Sequence, residues 1–187
     1  MYNRQQSFQN LGKESCFLWG ARQTGKSTLL KHLYPESLYF DLLLSDEYER
    51  LLRRPSLLRE IIEGSDISSP VVIDEIQRIP TLLNEVHWLI ENRGIQFILS
   101  GSSPRKILRS GGNLLGGRAL RYELHPLVSA EIPDFDLIKA LNNGLLPRHY
   151  LSNNPVKLLS AYIGSYLRDE IMTEARIRNI TSFSRFL

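Results

Sequence analysis

The sequence predicts an α/β fold with a parallel sheet covered by helices on both faces, three layers in all. Three observations predict it. Short β-rich apolar runs alternate with longer segments of helical period, as a covered parallel sheet requires. Several of those runs end abruptly in small polar or acidic residues, as strands do at a functional edge. The first run also passes through a glycine-bounded turn directly into a helical segment. With 187 residues, 42% of them hydrophobic, the chain can bury a core for one domain and part of another.

The elements follow in order. Strands are expected at Ser15 to Trp19, Leu38 to Leu42, Val71 to Ile73, Gln96 to Leu99 and Leu120 to Leu124. Helices are expected at Lys26 to Leu33, at Tyr48 to Glu63 with a break at Pro55, and at Thr81 to Asn92. In the last of these, Leu82, Leu83, Val86, Leu89 and Ile90 make one apolar stripe, and Gly94 is placed to end it. The turn formers of 142–155, Asn-Asn-Gly, Leu-Pro and Asn-Asn-Pro, suit a connection between domains. Beyond them a helix is expected from Pro155 towards Arg178, with Leu159, Ile163, Tyr166, Leu167 and Ile171 on one side. The division expected is therefore 1–132 and 133–187, the second part mainly helical and incomplete.

Composition narrows the function classes. Charge is nearly balanced, 23 basic against 20 acidic residues for a net +3, which does not call for a polyanionic partner. The single cysteine, Cys16, sits in an apolar run, so no disulfide framework is available and a reducing cytoplasm fits best. No apolar stretch approaches the roughly 20 residues needed to cross a bilayer, and the opening residues lack the apolar centre of a signal peptide. A cytoplasmic protein without a membrane partner is expected. The four histidines show no metal-ligand spacing, and no serine, histidine and acid set forms a hydrolytic triad.

The strongest chemical signal is Gly20-Ala21-Arg22-Gln23-Thr24-Gly25-Lys26-Ser27, followed by Thr28. Glycines at 20 and 25 let the backbone turn several N–H groups inward, onto phosphate oxygens beside a helix N-terminus. Lys26 supplies a point charge for the β- and γ-phosphates, and the Ser27 hydroxyl is a hard oxygen ligand for Mg²⁺. A strand before the loop and leucines at helical spacing after it are the context this pattern needs.

Val71-Val72-Ile73-Asp74-Glu75 is the second signal. Successive strand side chains point to opposite faces, so the two carboxylates cannot share one job. Asp74 suits the metal, and Glu75 suits orienting and polarising an attacking water, which argues for hydrolysis over transfer to an alcohol. A third signal, Phe97 to Ser103, is a buried strand ending in serines. A hydroxyl there suits holding the attacking water beside the γ-phosphate, but the spacing does not separate Ser100 from Ser102, and a simple helix cap before Pro104 is an equal reading. Between 105 and 121 the chain has five basic residues, Arg105, Lys106, Arg109, Arg118 and Arg121, and no acid. Arg118, at the end of the glycine-rich run 111–117, is the candidate to stabilise transition-state charge in its own subunit or a neighbour's; a solvated face or a phosphate-backbone contact is the alternative.

Residues 16–27, Tyr39-Phe40-Asp41-Leu42, Val71 to Gln77, Leu99 to Ser103, Leu115 to Ala119, Leu124 to Leu127, Gly144 to Pro147, Tyr150 to Ser152 and Tyr166 to Ile171, taken together and in order, resemble the prokaryotic predicted AAA+ ATPases. Members join an N-terminal ATPase domain to an uncharacterised C-terminal domain. The resemblance implies a P-loop NTPase sheet of five strands in the order 5-1-4-3-2. It implies ATP rather than GTP, with Mg²⁺, and it implies the roles above for Lys26, Ser27, Asp74, Glu75, a serine after the fourth strand and, more weakly, Arg118. Members are about twice this long, so a truncated second domain is the expectation. A homo-oligomer is one expectation, and for a macromolecular partner the sequence leaves protein and DNA equally open. An ATPase is the leading expectation; a nucleotide-dependent binding switch with negligible turnover is the alternative, and a P-loop kinase is disfavoured because 48–63 reads as plain helix and not as an arginine-rich acceptor lid.

Overall fold

The structure, a computed structural model, describes residues 2–8, 11–109 and 115–166. Five strands are built from the apolar runs: β1 (Ser15–Trp19), β2 (Tyr39–Asp41), β3 (Val71–Asp74), β4 (Phe97–Gly101) and β5 (Ala119–Glu123). Their pairings are all parallel and their order is β2-β3-β4-β1-β5. This is the 5-1-4-3-2 sheet the resemblance implied, and the fold is that of a P-loop NTPase.

Strand alternation divides the core into two layers. Phe17, Trp19, Phe40, Val71, Ile73, Phe97 and Leu99 pack on one face against Leu51 of α2 (Ser45–Arg53), Leu58 and Ile62 of α3 (Leu57–Glu63), and Leu82, Val86 and Leu89 of α4 (Leu82–Arg93). Cys16, Leu18, Val72 and Ile98 face the other way, against Leu29 and Leu30 of α1 (Lys26–Leu33) and against Phe8 and Leu11 of the N-terminal segment. Both faces of the central strands are therefore dry, as their continuous apolar character requires. Only β5, at the sheet edge, exposes Leu120, Arg121 and Glu123.

Element bounds differ in instructive places. The helix expected from Tyr48 begins at Ser45, because Asp46 and Glu47 sit in its first turn, where the helix dipole favours acids. The break expected at Pro55 is present, between Arg53 and Leu57. Gly94 ends α4 in the left-handed conformation, φ 62°. Strand β4 runs on to Gly101, which puts Ser100 inside the sheet. A short helix α5 (Arg105–Arg109) follows it, and residues 110–114 of the glycine-rich segment lie outside the described residues.

Among the described residues, those within 4–125 form one compact unit, and 2–3 with 126–166 form another. The second unit is built from α6 (Leu137–Asn143), α7 (Pro147–Tyr150) and α8 (Pro155–Tyr166), around Leu127, Ile132, Ala140 and Tyr150. The turn-forming stretch 142–155 thus holds the end of α6 and all of α7. Asn143 explains why it packs: the side chain is buried and its amide donates to the carbonyls of Tyr150 and Ser152, satisfying the end of α7. The continuation of the last helix expected past Tyr166 lies outside the described residues.

Candidate functional site

The carboxyl ends of the strands gather every acidic and hydroxyl side chain singled out above. Trp19 is followed by the loop 20–25, which enters α1 through Gly25 at φ 94°, a backbone conformation that only glycine adopts at low cost. Gly20 is fixed for a different reason: a Cβ there would collide with the Leu124 carbonyl. Gln23 takes the left-handed region without being glycine, φ 66°, a strained turn of the kind kept at functional sites. Inside the loop Thr24 is buried and its hydroxyl donates to the Ala21 carbonyl at 2.9 Å. Arg22, Gln23 and Thr28 are exposed at the rim.

The Lys26 ammonium folds back over the loop, donating to the carbonyls of Gly20 at 2.7 Å and Ala21 at 3.1 Å. The start of α1 has no side-chain cap and no acid in its first turn, so its N–H groups keep their capacity for an external acceptor. Arg4, to which the sequence drew no attention, crosses to this loop and donates to the Thr24 carbonyl at 2.7 Å and the His125 carbonyl at 2.5 Å. Its only sequence signal is a lone arginine shortly before the first strand.

Asp74 ends β3 on the α1 side of the sheet, at 1% exposure. Its Oδ2 accepts from the Tyr39 hydroxyl at 2.7 Å, and its Oδ1 accepts from the Ser100 hydroxyl. Tyr39 is also hydrogen-bonded to Ser27, and its phenol is held far above its ordinary value by burial first, then by the neighbouring Asp74 charge. Ser27, Tyr39, Asp74 and Ser100 therefore form one connected cluster that links the start of α1 to three strands. Hard oxygen donors alone make it up. Both carboxylate oxygens are held by neutral hydroxyls, which orient the group while leaving its charge for a cation, and this donor chemistry fits Mg²⁺, which takes one or two protein ligands and completes its shell with phosphate and water.

Glu75 turns away from that cluster. It adopts φ 63°, left-handed and unusual outside glycine, and its carboxylate accepts from the Gln77 side-chain amide. The two adjacent acids thus have separate partners. The two serines are separated too: Ser100 is buried and bonded to Asp74, while Ser102 lies within 3.3 Å of Gln77 Nε2.

Arg118 lies elsewhere. It precedes Ala119, which pairs with Ser15 at the amino end of β1, so five residues of strand, about 16 Å, separate its level from that of Gly20. There its guanidinium donates to the Glu91 carboxylate, drawing that carboxyl below its ordinary range.

The sequence pattern of a protein family described as an AAA domain matches residues 12–133, well over half of the chain. The chain belongs to this AAA domain family. No curated protein matches it. As an AAA domain it is a nucleotide-binding protein of the P-loop ATPase type, and the matched segment contains the loop 20–28, Asp74 and Glu75 at the end of β3, Ser100 and Ser102 at the end of β4, and Arg118. Among the described residues of this AAA domain no helix is long and apolar enough to cross a membrane.

Proposed function

We propose that the chain binds ATP and hydrolyses its γ-phosphate with Mg²⁺. The observation that carries the proposal is the adjacency, at one sheet edge, of an uncapped helix start with the Lys26 ammonium over its loop and the hydroxyl-held Asp74 carboxylate. Loop N–H groups from Ala21 to Thr28 bind the phosphate oxygens, and Lys26 exchanges the carbonyls of Gly20 and Ala21 for the β- and γ-phosphates. Ser27 and Asp74 hold the magnesium, which when bound supplies positive charge against the phosphates. Glu75 orients the attacking water and accepts its proton, while Ser102 positions the same region from just past the end of β4. Ser100 acts through Asp74, holding the carboxylate by its hydroxyl. Arg118, a sheet height away from its own loop, acts on a neighbouring copy's nucleotide, so a homo-oligomer is the working form.

The deciding experiment is phosphate release from Mg-ATP measured across protein concentrations, with Glu75→Gln alongside. The proposal predicts a rate per chain that climbs with concentration and vanishes in the variant while nucleotide binding persists. Background release from both proteins, with binding intact, would leave a nucleotide-dependent binding module instead.

A further inference from the structure

Gln77 is needed neither by the phosphate loop nor by the metal cluster, yet it is buried at 7% exposure within the site. It sits in the 3₁₀ turn Ile76–Arg78 that follows Glu75. That turn is fastened independently of Gln77. The Arg78 N–H donates to the Glu75 carbonyl at 2.9 Å, Ile76 and Ile79 are buried, and the Arg78 guanidinium donates to the Leu42 carbonyl while lying 4.3 Å over the Tyr48 ring. With the turn held, the Gln77 amide is aimed at the ends of β3 and β4.

Both polar contacts of the amide use its nitrogen: one to the Glu75 carboxylate, one towards the Ser102 hydroxyl. Only the N–H end can face a carboxylate, so the orientation is set by chemistry. Its Oε1 is left buried without a partner, a cost that a side chain present merely to fill space would avoid. Gly101 makes the room, since a Cβ there would collide with Gln77 Oε1 and with the Trp19 ring. A neutral amide also has the right chemistry for the task, because it fixes the direction of a carboxylate without cancelling the charge that makes it a base.

We infer that Gln77 is a positioning residue for Glu75, joining that carboxylate and the Ser102 hydroxyl into one hydrogen-bonded unit at the ends of β3 and β4. The inference rests on the reading of Glu75 as the water-activating group. Its consequence is that the base and the polar end of β4 move together, so that occupancy at Ser102 sets the aim of Glu75.

Gln77→Leu, which keeps the buried volume, is the test, with Gln77→Ala as the second variant should leucine fail to fold. In ¹H–¹⁵N spectra of the nucleotide-free protein, the side-chain amide pair missing from Gln77→Leu identifies Gln77. That pair is expected to resonate downfield and to move upfield in Glu75→Ala; identical positions in wild type and Glu75→Ala would overturn the inference. In turnover, Gln77→Leu is expected to lose about tenfold in kcat with Mg-ATP affinity within about twofold. The double variant Glu75→Gln/Gln77→Leu should be no slower than Glu75→Gln alone, since the two act as a unit. Wild-type turnover in Gln77→Leu, or loss of affinity and melting temperature in step with turnover, would overturn it. Absence of wild-type turnover above Glu75→Gln would sink the hydrolytic reading, and the amide resonance would still decide whether Gln77 holds Glu75.

Discussion

Ser100 donates its hydroxyl to the Asp74 carboxylate from the neighbouring strand, and both side chains are buried, at 0% and 1% exposure. Ser102, two residues on, is only partly buried and meets Gln77 instead. The two serines should therefore respond differently to alanine. Ser100→Ala leaves a buried carboxylate one donor short and is expected to cost about 1.5–3 kcal/mol of stability. Ser102→Ala is expected to cost less than about 1 kcal/mol and to lower turnover with little change in melting. Denaturant unfolding of both variants, beside their phosphate release, checks the pair, and equal destabilisation would contradict it.

The ion pair between Arg118 and Glu91 is exposed, with 41% and 47% of the two side chains accessible, so its loss should hardly register in stability. Arg118→Ala is expected to leave melting temperature and Mg-ATP affinity unchanged, because Arg118 lies at the amino edge of the sheet and the loop at the carboxyl edge. What it should remove is the part of phosphate release that climbs with protein concentration. A variant whose residual rate still climbs as steeply as wild type would exclude an Arg118 contribution from a neighbouring copy.

How far the site could be seen beforehand depended on whether its signals were local. The loop 20–27 and the Asp74–Glu75 pair are contiguous motifs; the two acids have separate partners, Tyr39 and Gln77, but Glu75 lies just past β3 at φ 63°, so its direction comes from that left-handed turn and not from strand alternation. The sheet order came from the resemblance and not from any periodicity. Telling the surroundings of Ser100 from those of Ser102 takes the cross-strand register, which places Ile73 against Leu99 and so brings Ser100 beside Asp74. Tyr39 and Arg4 escape a reading of the sequence because each acts at long range, Tyr39 35 residues from Asp74 and Arg4 20 from Thr24, whereas Gln77, two residues from Glu75, escapes it because its aim depends on the left-handed backbone of Glu75 and the 3₁₀ turn that follows. Helix α7 was hidden because Asn143, a turn former by composition, spends its amide on the carbonyls of Tyr150 and Ser152.

Cys16 lies at the centre of the α1 face at 0% exposure, and burial pushes its thiol up to about 12. Thiolate is the reactive form, so the native protein should resist thiol reagents at pH 8. Labelling is expected only through unfolding, at a rate that rises with denaturant in parallel with loss of tryptophan fluorescence. Stoichiometric labelling within minutes in native buffer would show that this layer of the core opens locally.

His149 is buried in the second unit, its ring edge-on to Tyr162 at 5.5 Å between centroids, and its Nδ1 has no partner. Burial, and secondarily the adjacent Arg148 charge, lower its pKa from the ordinary 6.5. The sign follows from proton counting: with the folded value below the unfolded one, the unfolded chain binds more protons as the solution is acidified. Stability is therefore full above pH 6.5 and declines as pH falls from there through the folded value. His149→Phe keeps an aromatic ring against Tyr162 and removes the titration, so its melting temperature should fall less than wild type's between pH 7 and pH 5. Parallel melting curves across that range would show that His149 does not carry the acid sensitivity of this unit.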